Sequence, residues 1–155
     1  MTKSKAIKNF CKTFGIKAKP DEYFCAYMST NKIGYLIGQD YLDTFIEYIS
    51  DMYPDIEANA WVWATLHEIG HLKVKQEFPN GLSKYIENGI NRMMLSTKMH
   101  HYDPSEVAAT HWAAKYIKKH PKKIKKFEKK LRKELGEEIF NMYIDTEEDM
   151  GGGGC

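Results

Sequence analysis

Apolar and polar positions along this chain change period several times, and each change marks an element. Within residues 1–19, Ile7, Phe10, Cys11 and Phe14 repeat at helical spacing and predict a short amphipathic helix packed on a domain edge. Tyr23 to Met28 and Ile33 to Ile37 read instead as two short strands around a Ser29, Thr30, Asn31, Lys32 turn, so a hairpin is expected. From Asp40 to Tyr53, Leu42, Phe45, Ile46 and Ile49 return to the helical period. The next helix is expected from about residue 55 to 76, with Pro54 and Asp55 as its start and Phe78, Pro79, Asn80, Gly81 as its stop. In it Val62, Leu66 and Ile69 repeat on one side, and Gly70 interrupts at a cost near 1 kcal/mol relative to Ala. A glycine there is explicable if another backbone or a substrate passes close by.

Three more helices follow from the pattern. Gly81 to Leu95 places Tyr85, Ile86, Ile90, Met93 and Met94 inward, as core filling. Asp103 as N-cap and Pro104 in the first turn open a second, and Pro121 opens a third of about residues 121–135. In the last, Ile124, Phe127, Leu131 and Leu135 form one narrow apolar stripe that must dock on the domain or on a partner.

These elements predict an α+β fold, a mainly helical domain with a small antiparallel sheet or hairpin ahead of the helix that carries Gly70. The chain has 155 residues, 43% of them hydrophobic, enough for one core. Residues 1–150 are therefore read as a single domain, and Gly151 to Cys155 as an appended flexible linker with a thiol. No run approaches the roughly 18 apolar residues of a membrane span, and no secretory stretch opens the chain, so a cytoplasmic setting without membrane contact is expected. Cys11, Cys25 and Cys155 are scattered, which favours free thiols.

Net charge is only +2, but the charges are segregated. Residues 1–19 hold six Lys and no acid, and Asp40 to Glu57 carries six acids and no Lys or Arg. That acidic face reads as solvated, a substrate role being the other reading. Lys115 to Lys133 carries eleven Lys or Arg against one acid, Glu128. The favoured reading is a solvated lysine face balanced by Glu134, Glu137, Glu138 and the acids from Asp145 to Asp149. The other is a contact with nucleic acid or an acidic protein segment. Few aromatics interleave these lysines and Arg appears once, which weighs against nucleic acid.

The candidate chemistry lies in His67, Glu68, Ile69, Gly70, His71, an H-E-x-x-H pattern inside the expected helix. Residues four apart on a helix sit nearly above one another, so both imidazoles can reach one metal while Glu68 is held beside it as general base. With 6 His in the chain the triplet arises by chance in roughly 2% of such sequences, so its helical context carries the weight. A catalytic Zn²⁺ takes three protein ligands and keeps one position open. Downstream candidates for the third are His100, His101, Asp103, Glu106 and His111. Glu106 also stands where a capping-box glutamate would stand, so it reads as ligand or as cap. His100, His101 and Tyr102 precede the Glu106 helix in a loop that could bring a donor over the metal to a developing oxyanion. His111, five residues after Glu106, points away from it on a helix.

Thr65 to His71, paired with a later helix reading Glu106, Ala109, Thr110, Trp112, Ala113, resembles the small gluzincin metallopeptidases, most of all the phage and mobile-element enzymes of the ImmA/IrrE type. The likeness spans roughly residues 23 to 114. It implies a zincin-like fold, Zn²⁺ held by His67, His71 and Glu106, Glu68 as general base, and a protein or peptide substrate such as a regulator. Ala108 stands where many members have a second Glu, and Thr110 where an Asn or Asp would orient a ligand imidazole. Thr110 can still supply one hydrogen bond there. In the zincin pattern an edge strand above the metal pairs with extended substrate, and Ile33 to Gly38 is the expected edge. The expectation is a zinc-dependent peptidase. The alternative is a nucleic-acid or protein-binding module that uses residues 115–133, with a structural or vestigial metal site. The oligomeric state is not readable from the sequence.

Overall fold

A computed structural model of the chain describes residues 2–38, 42–77 and 104–142. The expected helix of Gly81 to Leu95 and the residues His100, His101, Tyr102 and Asp103 lie outside them. The described elements are mainly helical with one small sheet, an α+β architecture as the pattern predicts.

Helix α1 (Lys5–Lys12) begins at Ser4, whose Oγ accepts from the Ile7 amide at 3.1 Å. Ile7 and Cys11 are buried while Phe10 and Phe14 are half-buried, the face that the helical spacing marks. Strand β1 (Lys17–Pro20) follows, then β2 (Cys25–Tyr27) and β3 (Lys32–Tyr35). The hairpin is present: β2 and β3 pair antiparallel with Cys25 opposite Gly34 and Tyr27 opposite Lys32. Asn31 takes a positive φ of 52° in its turn, a conformation that Asn tolerates better than most residues.

Two features of the sheet differ from expectation. β1 pairs parallel to β3, so the sheet is mixed, with strand order β1-β3-β2. The sequence Lys17, Ala18, Lys19, Pro20 lacks the apolar alternation that marks a strand, and Pro20 is tolerated because β1 is an edge. As a result Lys32–Tyr35 is the central strand, and the expected substrate-aligning edge at Ile33 to Gly38 is corrected. The edges are β1 and β2, and it is β2 that packs more closely on the next long helix.

Helix α2 (Asp43–Met52) buries Phe45 and Ile49 as its period predicts. Helix α3 (Ala60–Glu77) starts later than Pro54 and Asp55 suggest. Asn59 sets the start: its Oδ1 accepts from the Trp61 amide at 2.9 Å, and its Nδ2 donates to the Phe140 carbonyl at 2.6 Å. Every residue from Trp61 to Leu72 is buried. α3 is therefore an interior helix enclosed on all sides.

Helix α4 (Pro104–Lys119) makes the most extensive packing in the fold, against α3. After His120 come α5 (Pro121–Leu135), with Pro121 in its first turn, and the short α6 (Glu137–Phe140). Ile124, Phe127 and Leu131 are buried, so the narrow stripe docks on the domain itself. Glu134 fastens this helix to α1, accepting from Ser4 Oγ and the Lys5 amide, both at 2.6 Å. A carboxylate there also faces the positive end of the α1 dipole. Among the described residues no helix is long and apolar enough to cross a membrane.

Candidate metal centre

Helices α3 and α4 bring the H-E-x-x-H residues together with Glu106. His67 and His71 are one turn apart on α3, and their Nε2 atoms are 3.2 Å apart. From α4, Glu106 reaches back across the crossing: Oε1 lies 3.0 Å from His67 Nε2 and Oε2 lies 2.8 Å from His71 Nε2. The carboxylate faces both imidazoles, so Glu106 is not merely a backbone cap. Thr110, one turn further along α4, places Oγ1 2.9 Å from His67 Nδ1. When the hydroxyl accepts from Nδ1–H, the lone pair of His67 is left on Nε2, toward Glu106 and His71. Phe45 of α2 holds the same ring from the side, its centroid 5.1 Å away and edge-on. That contact joins positions far apart in sequence, and the helical period of α2 marks Phe45 only as core.

Close approach of the helices is what makes this geometry attainable. A Cβ on Gly70 would lie 2.5 Å from the Ala109 carbonyl oxygen and 3.2 Å from its Cα. The interruption in α3 is thus explained by a passing backbone, that of α4, one turn from Glu106.

The site is deeply enclosed: His67, Glu68 and Thr110 are each 1% exposed, Glu106 6% and His71 7%. Glu68 Oε1 is buried with no hydrogen-bond partner. Burial, and after it the charge of Glu106, hold the Glu68 carboxyl well above the usual carboxylate range. Two carboxylates thus share an interior in which, among the described residues, no Lys or Arg is buried. Such an interior favours a neutral Glu68, or a cation beside the two carboxylates.

The donor set fits such a cation. Ligand atoms at about 2.0–2.1 Å from a tetrahedral zinc stand roughly 3.3 Å from each other. Edges of 2.8 to 3.2 Å among His67 Nε2, His71 Nε2 and the Glu106 oxygens approach that spacing. Glu68 also offers an oxygen within 4.8 Å of imidazole nitrogens of His67 and His71, so two carboxylates are available as third donor. Glu106 contacts both rings directly, whereas Glu68 keeps an unpartnered oxygen, so Glu106 is the better placed to hold an ion and Glu68 to act as base.

Strand β2 reaches the same region. The Cys25 thiol is raised by burial first, with the charge of Glu68 among the further causes, and β2 packs on α3. No sequence pattern connects Cys25 to Glu68. His111 is exposed and stands apart from the centre, as its spacing from Glu106 requires. The oxyanion candidates His100, His101 and Tyr102 lie outside the described residues.

Comparisons of the chain with protein-family models, with curated proteins and with solved structures return no match.

Proposed function

We propose that this chain is a zinc-dependent peptidase. One observation carries the reading: the imidazoles of His67 and His71 converge on the Glu106 carboxylate at 3.0 and 2.8 Å, beside a buried Glu68 oxygen without a partner. His67, His71 and Glu106 would hold Zn²⁺, which when bound would supply Lewis acidity toward a carbonyl and bring the pKa of a water toward about 7.

The chain's own residues do the rest. With Thr110 Oγ1 accepting from His67 Nδ1–H, the ring presents its lone pair on Nε2, toward Glu106 and His71. Glu68 takes a proton from the attacking water on its free Oε1 and passes it to the leaving amine. The edge strand β2, packed on α3, aligns an extended peptide. Resemblance of the motif pair to small gluzincin enzymes points to a protein substrate of the regulator kind. A cytoplasmic setting accords with Cys11 and Cys25, both free and buried.

The deciding experiment compares wild type with Glu68→Gln for zinc content and for cleavage of unfolded protein substrates. Equal zinc in both proteins with cleavage only by wild type is expected. Undiminished turnover in the variant would remove Glu68 from its role, and absence of zinc from the wild type would remove the reading altogether.

A further inference from the structure

The lysines of α5 border a cleft whose aromatic lining comes from other helices. A cavity of about 240 Å³ opens between α1 and α5, with Phe10, Tyr116 and Phe127 inside and Lys123, Lys126 and Lys130 among its lining. Phe10 and Phe127 stack with centroids 4.1 Å apart and planes within 6°. Tyr116 stands edge-on to Phe10 at 6.2 Å, stacks on Trp112 at 5.5 Å and also packs against Phe14 at 5.2 Å and His120 at 4.4 Å. Phe10, Trp112 and Tyr116 are only half-buried, so part of this aromatic surface meets solvent.

Among the described residues no ion pair neutralises these lysines. Lys123, Lys126 and Lys130 are exposed. Three acids of this segment are occupied elsewhere. Glu128 accepts from the Asn59 amide at 2.8 Å, Glu134 binds the start of α1, and Glu137 pairs with Arg132 at 3.3 Å. Arg132 also lies over the Phe140 ring at 4.8 Å, so the segment's one guanidinium is engaged.

We propose that this cleft binds single-stranded nucleic acid, with phosphates on Lys123, Lys126 and Lys130 and a base against Tyr116 and Phe10. Exposed cations beside half-buried aromatic rings that line an open cleft supply the two elements of sequence-tolerant single-strand binding. The cleft's volume is below the roughly 300–1,000 Å³ of sites that enclose a small ligand, so it takes one ring of a longer molecule. The lysines span seven residues of helix, about 10 Å, more than a single phosphate can bridge. A duplex hides its base faces, and an acidic peptide would satisfy the lysines without using the rings. The segment's single guanidinium, Arg132, is the only fork on α5 suited to bidentate base reading, so little sequence preference is expected. The cleft shares no lining residue with the metal centre, and Tyr116 is ten residues along α4 from Glu106, about 15 Å.

The test uses the full chain with chelator present and a fluorescent oligothymidylate of about 12 nucleotides, followed by anisotropy across a salt series. Binding is expected to survive chelation and to weaken with salt at a log–log slope of roughly −2, for three phosphates at about −0.7 each. Replacing the three lysines together by Gln should abolish most of that slope. Tyr116→Leu, which keeps apolar bulk without a ring face, should weaken binding roughly tenfold while leaving the slope in place. The proposal fails if the lysine variant binds as wild type does, if Tyr116→Leu has no effect, or if duplex DNA or polyglutamate displaces the oligonucleotide as well as a second single strand does.

Discussion

Gly70 of α3 faces the backbone of Ala109 on α4 so closely that a Cβ on the glycine would stand 2.5 Å from the Ala109 carbonyl oxygen. This relationship sets the separation of the two helices that carry His67, His71 and Glu106. In an ordinary helix interior Gly→Ala adds about 1 kcal/mol of stability. Here the sign reverses, because carbonyl and methyl cannot share the space and a neighbouring backbone cannot rotate away as a flexible side chain can. Gly70→Ala should destabilise by about 1–3 kcal/mol in denaturant unfolding and weaken zinc binding as Glu106 is pushed from the imidazoles. A variant as stable as wild type with the same zinc affinity would show that the crossing is not this tight.

Glu106 is expected to hold metal and not only to terminate a helix, since both its oxygens face imidazole nitrogens. Glu106→Ala should lose zinc on dialysis against a weak chelator under conditions where wild type retains one ion per chain. Retention by the variant would transfer the third ligand to another residue.

Thr110 acts through His67. Removing its hydroxyl in Thr110→Val keeps the shape and deletes the hydrogen bond to Nδ1. Zinc affinity should fall about 10- to 100-fold, the usual loss when a ligand imidazole is no longer oriented. Competition with a chromophoric chelator measures it, and an unchanged constant would remove Thr110 from the site.

Asp21 gives the sheet an acid-sensitive joint. Its side chain lies over Gly34 and accepts from the Tyr27 hydroxyl and, at 2.8 Å, from the Glu22 amide. The Tyr27 bond first, then the Glu22 amide, hold the carboxyl below its ordinary range. A depressed folded pKa contributes stability that is present above the unfolded value, about 3.9, and is lost as pH falls through the folded one. The urea midpoint of wild type should therefore fall on acidification below about pH 4 more steeply than that of Asp21→Asn. Parallel curves would show that the bond to Tyr27 does not favour the charged form.

Glu134 joins the two ends of the domain through Ser4 Oγ and the Lys5 amide. Glu134→Ala should cost about 1 kcal/mol, below the roughly 1.5–3 kcal/mol of hydrogen bonds to a charged group because the contact is partly exposed. Faster hydrogen exchange is expected at the first amides of α1, with the metal centre unaffected. Unchanged exchange at Lys5 and Ala6 would place the anchoring of α1 elsewhere.

Local periodicity was enough to locate α1, the hairpin, α2 and α5, because each buries one face and the burial pattern repeats at the period of its backbone. Asn31 in the turn and Pro121 at the start of α5 were legible for the same reason, since turns and helix starts are chosen by short-range sterics. β1 was not legible: Lys17, Ala18, Lys19 and Pro20 form a strand only because β3 offers a partner in parallel register. The start of α3 was misplaced for a similar reason, as Asn59 is held by Phe140 and Glu128 from the far end of the chain.

By itself the sequence determined that His67, Glu68 and His71 stand on one turn of a helix, because spacing along one element is a local property. It also placed Glu106 in the first turn of another helix, where cap and ligand are indistinguishable. Only the tertiary structure turns the Glu106 carboxylate toward His67 and His71, since its direction depends on a helix crossing that Gly70 and Ala109 make close. The lysines of α5 were equally plain in sequence and equally mute. Their aromatic neighbours Phe10 and Tyr116 arrive from α1 and α4, and contacts between elements arise from packing, which no local period encodes.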